Sequence, residues 1–467
     1  MGITYQDFLE VVDTDAARIE FVRRVINDYK ASDLYQRALE AYEYFLVMNR
    51  TIKTHEKTIV TASGQLTRDL WSPNHRVASG YFKRFVVQQN QYLLGNGVTW
   101  GSEATEKKLG KRFDAMATKL GENALIGAVA YGFWNRDHME VFKATEFAPL
   151  FDEENGALRM GVRFWQIDAT KPLRATLYEE DGCTEYIWNP RSGRPDGEVL
   201  KPKRAYKVSH TRTQAEGEIY TDNSNYEDFP IVPLWANEQH VSELLAIKDG
   251  IDAYDLIKNG FENELDTNQI YWIIKGAGGM DSQDLVQFLD RMLVNRIAST
   301  EGDQDISAHE ISLPYEARER LLDRIDKDLH ADYMALNLDE IKSGSVVTAQ
   351  IKAAYEPMNN KADKYEYQWH EFLDSLLAIV GVEDDATFTR SALINGNETI
   401  SWLIQAGEYL SREYVTEKVL TVLGDADRVE EVLRQMDKEE LETAGLGNDG
   451  KPEEEEPEGE EPTEEEE

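Results

Sequence analysis

The strongest constraint on the fold of this chain is a stripe of apolar residues near its C-terminal end. Ile351, Tyr355, Met358, Ala362, Tyr365, Trp369, Phe372, Leu376 and Ile379 follow one another at spacings of four and three without an exception. Such spacings place side chains on one face of an α-helix. They predict a helix over 348–380, roughly 45 Å long at 1.5 Å per residue, packed along a single seam. Pro357 lies inside it, so a local kink is expected. The aromatic members of the stripe fit core packing better than base stacking, because they keep strict helical spacing. So regular an apolar seam needs a partner, which argues for an assembly subunit.

The residues before the seam are also helical, with an interruption. Leu244, Ile247, Ile251, Tyr254, Ile257, Phe261 and Leu265 recur every three or four residues, while Lys248, Asp249, Asp252, Asp255, Lys258 and Glu262 take the other side. This reads as one amphipathic helix of about seven turns, with those charged residues in water. Gln269 to Lys275 then reads as a strand, Gly276-Ala277-Gly278-Gly279 as a turn, Asp281 as the N-cap of a short helix to about Leu293, and Asp305 to Leu313 as a second strand. A charged helix follows from Pro314, with Leu322, Ile325 and Leu329 on its apolar side, and breaks at Asn337 to Val347. After the seam, three short helices are expected over 398–406, 411–423 and 425–442, the first two ending at Gly407 and Gly424.

The first half divides in two. Residues 1–124 read as helical, with runs at Ala16–Lys30, Ser32–Arg50 and Asn74–Leu94, the last closed by Gly95-Asn96-Gly97. From about 125 to 236, short β-branched and aromatic runs alternate with turn signals such as Glu154-Asn155-Gly156 and Glu180-Asp181-Gly182. That pattern predicts a mostly antiparallel sheet with hairpins. The fold class is therefore α+β, mainly α.

With 50 Lys and Arg against 88 Asp and Glu, the formal net charge of the chain is −38. A surface that grips DNA phosphates is excluded, though a conduit that lets DNA pass is not. Residues 446–467 form an acidic tail with nothing to bury, expected to be disordered. Cys183 is the only cysteine, so no internal disulfide forms and a reducing cytosol is the expected setting. No export signal or membrane span is expected, since nowhere do about 18 uncharged apolar residues run together.

Chemistry by a known motif is absent: there is no phosphate-binding P-loop, nucleophile elbow or His-Glu-x-x-His pair. The expectation is a protein that is not an enzyme and carries no cofactor. Asp137, His138 and Glu140 are the best local candidates for metal ligands, but in a chain this acidic such clusters arise by chance. His55-Glu56, His309-Glu310 and His370-Glu371 are weaker candidates still. Lys107, Lys108, Lys111 and Arg112, and then Lys201, Lys203 and Arg204, are small basic patches best read as solvated faces or ion pairs.

Several segments resemble the portal proteins of tailed bacteriophages, the family typified by the portal of phage SPP1. Asn74-His75-Arg76-Val77, then Tyr81 to Val87 and Tyr92 to Thr99, are similar to that family's N-terminal signature. Phe229-Pro230-Ile231-Val232-Pro233-Leu234-Trp235, leading to Asp252 to Ile257, is similar to its approach to the stem. Ser343-Gly344-Ser345-Val346-Val347 is similar to the Ser-Gly segment after its tunnel loop, departing from the commoner Ser-Gly-x-Ala form. The resemblance covers roughly residues 40–380.

The resemblance implies a homo-oligomeric ring, usually of twelve subunits, at a capsid vertex of the virion, assembled in the host bacterial cytoplasm. Double-stranded DNA would pass through it, and its partners would be the terminase motor, head-tail adaptor, major capsid protein and scaffolding protein. Residues 1–240 would be the wing, 241–269 and 314–336 the stem, and 270–313 the clip. The tunnel loop would be 337–347, the long helix 348–380 and the crown 381–445. The channel residues would then be Asn337, Asp339, Glu340, Lys342, Ser343, Gly344 and Ser345. Docking of motor and adaptor would fall to Lys275, Gly276, Gly278, Gly279, Asp281 and Asp284. The seam would pack against neighbouring subunits and the crown, holding the tunnel loop over the DNA path. Two other readings compete: an acidic helical scaffold or chaperone, which leaves the strand-containing excursion unexplained, and a carboxylate-metal phosphodiesterase, whose carboxylates lack ordered spacing.

Overall fold

In the computed structural model the chain divides into two units, residues 1–391 and 392–467. The structure describes residues 2–60, 65–69, 72–189, 196–212, 219–266, 270–275, 305–310, 315–337, 348–391, 400, 403–407, 409–423 and 428–443. The first unit opens with helices α1 (Tyr5–Leu9), α2 (Asp15–Ala31), α3 (Asp33–Phe45) and α4 (Arg50–Thr54). The Thr14 and Ser32 hydroxyls accept from the N–H groups of Ala17 and Tyr35, satisfying donors that a helix start leaves open. The antiparallel pair β1 (Thr58–Val60) and β2 (Leu66–Arg68) follows, then α5 (Tyr81–Leu94), β3 (Val98–Trp100), α6 (Glu103–Leu109) and α7 (Phe113–Gly127). The stretch expected to be wholly helical thus includes three short strands. The helix expected from Asn74 begins only at Tyr81, and 74–80 are non-helical.

The predicted antiparallel region is built as two main sheets. A three-stranded sheet runs β13-β4-β5 and a five-stranded one β10-β9-β8-β7-β6. Their strands are β4 (Val129–Asn135), β5 (His138–Lys143), β6 (Phe147–Phe151), β7 (Leu158–Trp165), β8 (Leu173–Glu179), β9 (Gly182–Trp188), β10 (Glu198–Arg204) and β13 (Ile231–Trp235). Between the last two, β11 (Lys207–Arg212) and β12 (Ile219–Ser224) form a separate antiparallel pair. Helix α2 closes a core with the five-stranded sheet, burying Phe21, Val22, Val25 and Ile26 against Leu150, Val162, Leu177 and Tyr186.

Helix α8 spans Lys248–Asp266, and Leu244 to Ile247 lie in turns before it, so the helix is shorter than the apolar stripe suggests. Strands β14 (Ile270–Lys275) and β15 (Asp305–Glu310) fall where two strands are expected, and they pair antiparallel. Helix α9 (Tyr315–Tyr333) packs along α8. Gly250 makes this approach possible, because a Cβ there would lie 2.8 Å from Leu329 Cδ2.

The long helix α10 spans Thr348–Val380, and Pro357 does not end it. Its stripe is buried: Met358, Ala362, Tyr365, Trp369, Phe372 and Leu376 are each at most 1% exposed. The partner of this seam within the described residues is the chain itself. It lies on α5, β4 and β13, with β16 (Ala386–Phe388) alongside, and β16 in turn pairs with β3. A Cβ on Gly132 of β4 would fall 2.7 Å from Phe372 Cζ, so helix and strand are in direct contact. This corrects the expectation that the seam faces neighbouring subunits, while of the segment expected to form the crown, β16 does pack beside it, with Phe388 6.2 Å from Trp369 between ring centroids. Periodicity shows that a face must be buried; it carries no information on what buries it.

Residues 382–391, grouped by sequence with the C-terminal helices, belong to the first unit. Arg390 clamps them onto α10, donating to Glu366 at 2.8 Å and pairing with Asp363. The second unit contains α11 (Arg412–Leu423) and α12 (Val429–Thr443), which pack on each other. Residues 446–467 lie outside the described residues.

Candidate channel and assembly elements

Helix α8 carries a second buried stripe, and it is polar. Asp255, Asn259 and Asn263 recur at four-residue spacing and are 0–2% exposed. They read the backbone of the 74–80 segment at every second residue. His75 N–H donates to Asn263 Oδ1 at 2.7 Å, Val77 N–H to Asn259 Oδ1 at 2.7 Å and Ser79 N–H to Asp255 Oδ1 at 2.9 Å. Asn259 Nδ2 also donates to the Val77 carbonyl at 2.8 Å, so its amide exchanges both bonds with one residue as a neighbouring β-strand would. These bonds occupy the backbone groups that helix formation would use, and so 74–80 are not helical. The expected placement of Asp255 in water is thereby overturned. Burial raises its pKa above the ordinary 3.8, opposed by hydrogen bonds from Ser79 and Asn49.

The segment continues into Tyr81, whose hydroxyl donates to Asp326 Oδ1 of α9 at 2.5 Å. The α8–α9 pair is closed at the end near the strands by Glu264 and Arg318, whose guanidinium donates at 2.9 Å. Phe261 and Tyr315 meet edge to face beside them, at 5.5 Å between ring centroids. The pair thus joins β14 and β15 at one end.

At the other end, α9 stops at Tyr333, which is fully buried and donates to Gln89 at 2.8 Å. Lys361 of α10 caps it, donating to the Tyr333 carbonyl at 2.9 Å and pairing with Glu243 at 2.6 Å. Desolvation lowers the Lys361 pKa, and Glu243 opposes that shift. Leu336 then packs with Tyr92, Tyr355 and Met358, so residues on both sides of the 337–347 break share one apolar cluster.

Of the residues predicted for the channel, Asn337 is half-buried directly after this cluster. Asp339, Glu340, Lys342, Ser343, Gly344 and Ser345 lie outside the described residues. Of those predicted for docking, Lys275 ends β14 in register with Asp305. Gly276, Gly278, Gly279, Asp281 and Asp284 lie outside the described residues. The polar ladder and the Lys361–Glu243 pair were not anticipated. The ladder did leave a signal, since Asp255, Asn259 and Asn263 share one helical face at i, i+4 and i+8.

Several of the other candidates are engaged in local bonds. His138 Nδ1 lies 2.8 Å from Asp137 Oδ1, while Glu140 accepts from Asn135 at 2.8 Å. Among the described residues no group of three or more His, Cys, Asp or Glu is arranged to hold a metal ion. Lys201 and Arg204 pair with Glu185 at 3.0 and 2.9 Å, Lys203 with Glu179 at 3.1 Å, and Lys107 with Glu103 at 3.0 Å. Cys183 is buried. No helix among the described residues is long and apolar enough to cross a membrane.

Comparison with known proteins agrees with the resemblance. The chain is 23% identical over 463 residues to the portal protein of Bacillus phage SPP1, covering 88% of this chain and 86% of that one. It is 26% identical over 416 residues to the portal protein of Clostridium phage phiCD119, covering 81% and 88%. Among solved structures, the neck of an empty gene transfer agent particle, computed with C6 symmetry, aligns with a TM-score of 0.43 at 11% identity, over 74% of this chain and 90% of that one. The family described as phage portal protein, SPP1 Gp6-like, matches residues 26–445, and the chain belongs to that family of structural phage proteins.

Proposed function

We propose that this chain forms a closed ring of twelve copies at one vertex of a phage capsid, with a central channel through which double-stranded DNA is packaged and later ejected. The wing is 1–240, the α8–α9 pair is the core of the stem, and 270–313 form the clip. The clip docks the terminase motor during packaging and the head-tail adaptor afterwards, while the outer parts of the ring meet the major capsid and scaffolding proteins. The crown is 392–445. The observation that carries this reading is the anchoring of the residues on either side of 338–347. Leu336 before it and Tyr355 and Met358 after it share one apolar cluster, and Lys361 donates to the Tyr333 carbonyl, so the two flanks of the proposed tunnel loop are fixed on one body.

Charge supports the same reading. Lys and Arg contacts to phosphate release counterions and make DNA adhere, whereas a conduit must let it slide. A chain of net charge −38 suits a passive wall, with Lys342 and the neighbouring Ser343 and Gly344 supplying sparse contact.

Electron microscopy of the purified protein tests the reading: rings with a central hole are expected, and elongated rods or compact monomers would overturn it. Within the ring, Lys342→Glu is expected to impair packaging and ejection, and unchanged packaging would remove that residue from the channel. Replacing 270–313 by a short linker is expected to abolish motor binding while leaving the wing folded.

A further inference from the structure

Strand β7 carries a hollow at one end and a protrusion at the other. Where it begins, a groove of about 770 Å³ opens among Phe151, Leu158, Trp235, Ala378 and Ile379. Trp235 and His240 stack at 3.7 Å between ring centroids and give the groove a flat wall. Asp228 and Glu371 stand at its rim, and neither makes an ion pair with the described residues.

Where β7 ends, roughly 23 Å away at 3.3 Å per residue, Trp165 is 38% exposed and Ile167 is 89% exposed. No other large apolar side chain among the described residues is as exposed as Ile167. Its loop is well made. Thr170 N–H donates to Asp168 Oδ1 and Lys171 N–H to the Asp168 carbonyl, both at 2.8 Å, and Gln166 Nε2 donates to the Lys171 carbonyl at 2.9 Å. A fixed turn therefore holds Ile167 out in water. Lys171, in the same turn, is exposed, and its ammonium makes no ion pair with the described residues.

The two ends cannot meet within one copy, because the strand between them is a rigid spacer. They can meet between copies. A head-to-tail contact needs two different, complementary patches on one chain, and it closes into a ring when the rotation allows. Here one patch is a hollow lined by Asp228 and Glu371, with Arg159 already paired to Glu180, and the other is a protruding aliphatic side chain in a turn that carries Lys171. We propose that Ile167 of one copy seats in the groove of the next, between Trp235 and Ile379, with Lys171 meeting Asp228 and Glu371 at the rim. The contact rests on the ring reading above. In so acidic a chain, it brings a cation to two rim carboxylates instead of facing acid with acid.

The test uses the full chain with Cys183→Ser, adding Ile167→Cys and Ser375→Cys. A disulfide needs Cα atoms within about 7 Å, so the two new thiols cannot join within one copy. Mild oxidation is expected to give a reducible ladder of linked copies, absent from either single-cysteine chain. Ile167→Arg is expected to weaken each contact about tenfold, as loss of one buried aliphatic side chain would. Lys171→Glu and Asp228→Lys should each lower the ring fraction, and together restore it. Rings that form without the ladder, or that form normally with Ile167→Arg, overturn the contact alone. A wild-type chain that forms no ring overturns the ring reading and the contact with it.

Discussion

Helices α8 and α10 both bury a stripe of side chains, but with opposite chemistry. On α10 the stripe is aromatic and aliphatic, and it sinks into α5, β4 and β13. On α8 it is Asp255, Asn259 and Asn263, and it holds an extended segment by directed hydrogen bonds. Apolar packing is non-directional and tolerates any surface of the right shape, so α10 can lie across several elements at once. A polar stripe is stable only when every donor and acceptor is matched, so α8 fixes the register of one segment, residue by residue. The first arrangement anchors a long lever; the second locks a strap onto the helix proposed to line the stem.

Three substitutions probe this difference. Trp369→Ala should have the largest effect, about 3–5 kcal/mol lost in chemical denaturation, because it opens a cavity under α10. A loss under 1 kcal/mol would mean that the seam is not the core of the unit. Asn259→Ala should cost less, about 1–3 kcal/mol, by removing both hydrogen bonds that its buried amide exchanges with the Val77 backbone. Hydrogen exchange at the Val77 amide separates the cases: it should accelerate in Asn259→Ala by a larger factor than in Trp369→Ala when the two are compared at equal global stability.

The smallest effect concerns pH. Burial raises the Asp255 pKa, so the folded chain binds this proton more tightly than the unfolded one. Its contribution to stability is full below about pH 4 and is lost as pH climbs through the raised value. Asp255→Asn should remove that fall while keeping an acceptor for Ser79. Denaturation midpoints measured across this range check the sign, and a variant whose stability falls with pH as steeply as the native chain refutes it.

Local pattern determined a good deal. The ends of α10 follow from sequence because a period of 3.6 residues is a property of one segment, readable without its neighbours. Strands β14 and β15 and the antiparallel sheets are likewise marked by short β-rich runs between turn residues, and the family by signature segments such as Asn74 to Val77. What covers the seam, why 74–80 stay extended and why Asp255 is buried were decided only by tertiary structure. Each depends on groups far apart in the chain: Phe372 meeting Gly132, Asn259 meeting Val77, Lys361 meeting Glu243. Amphipathicity tells which face of a helix avoids water when the face is apolar. It is silent when the buried face is made of Asp and Asn, because only a partner that matches their hydrogen bonds makes burial favourable.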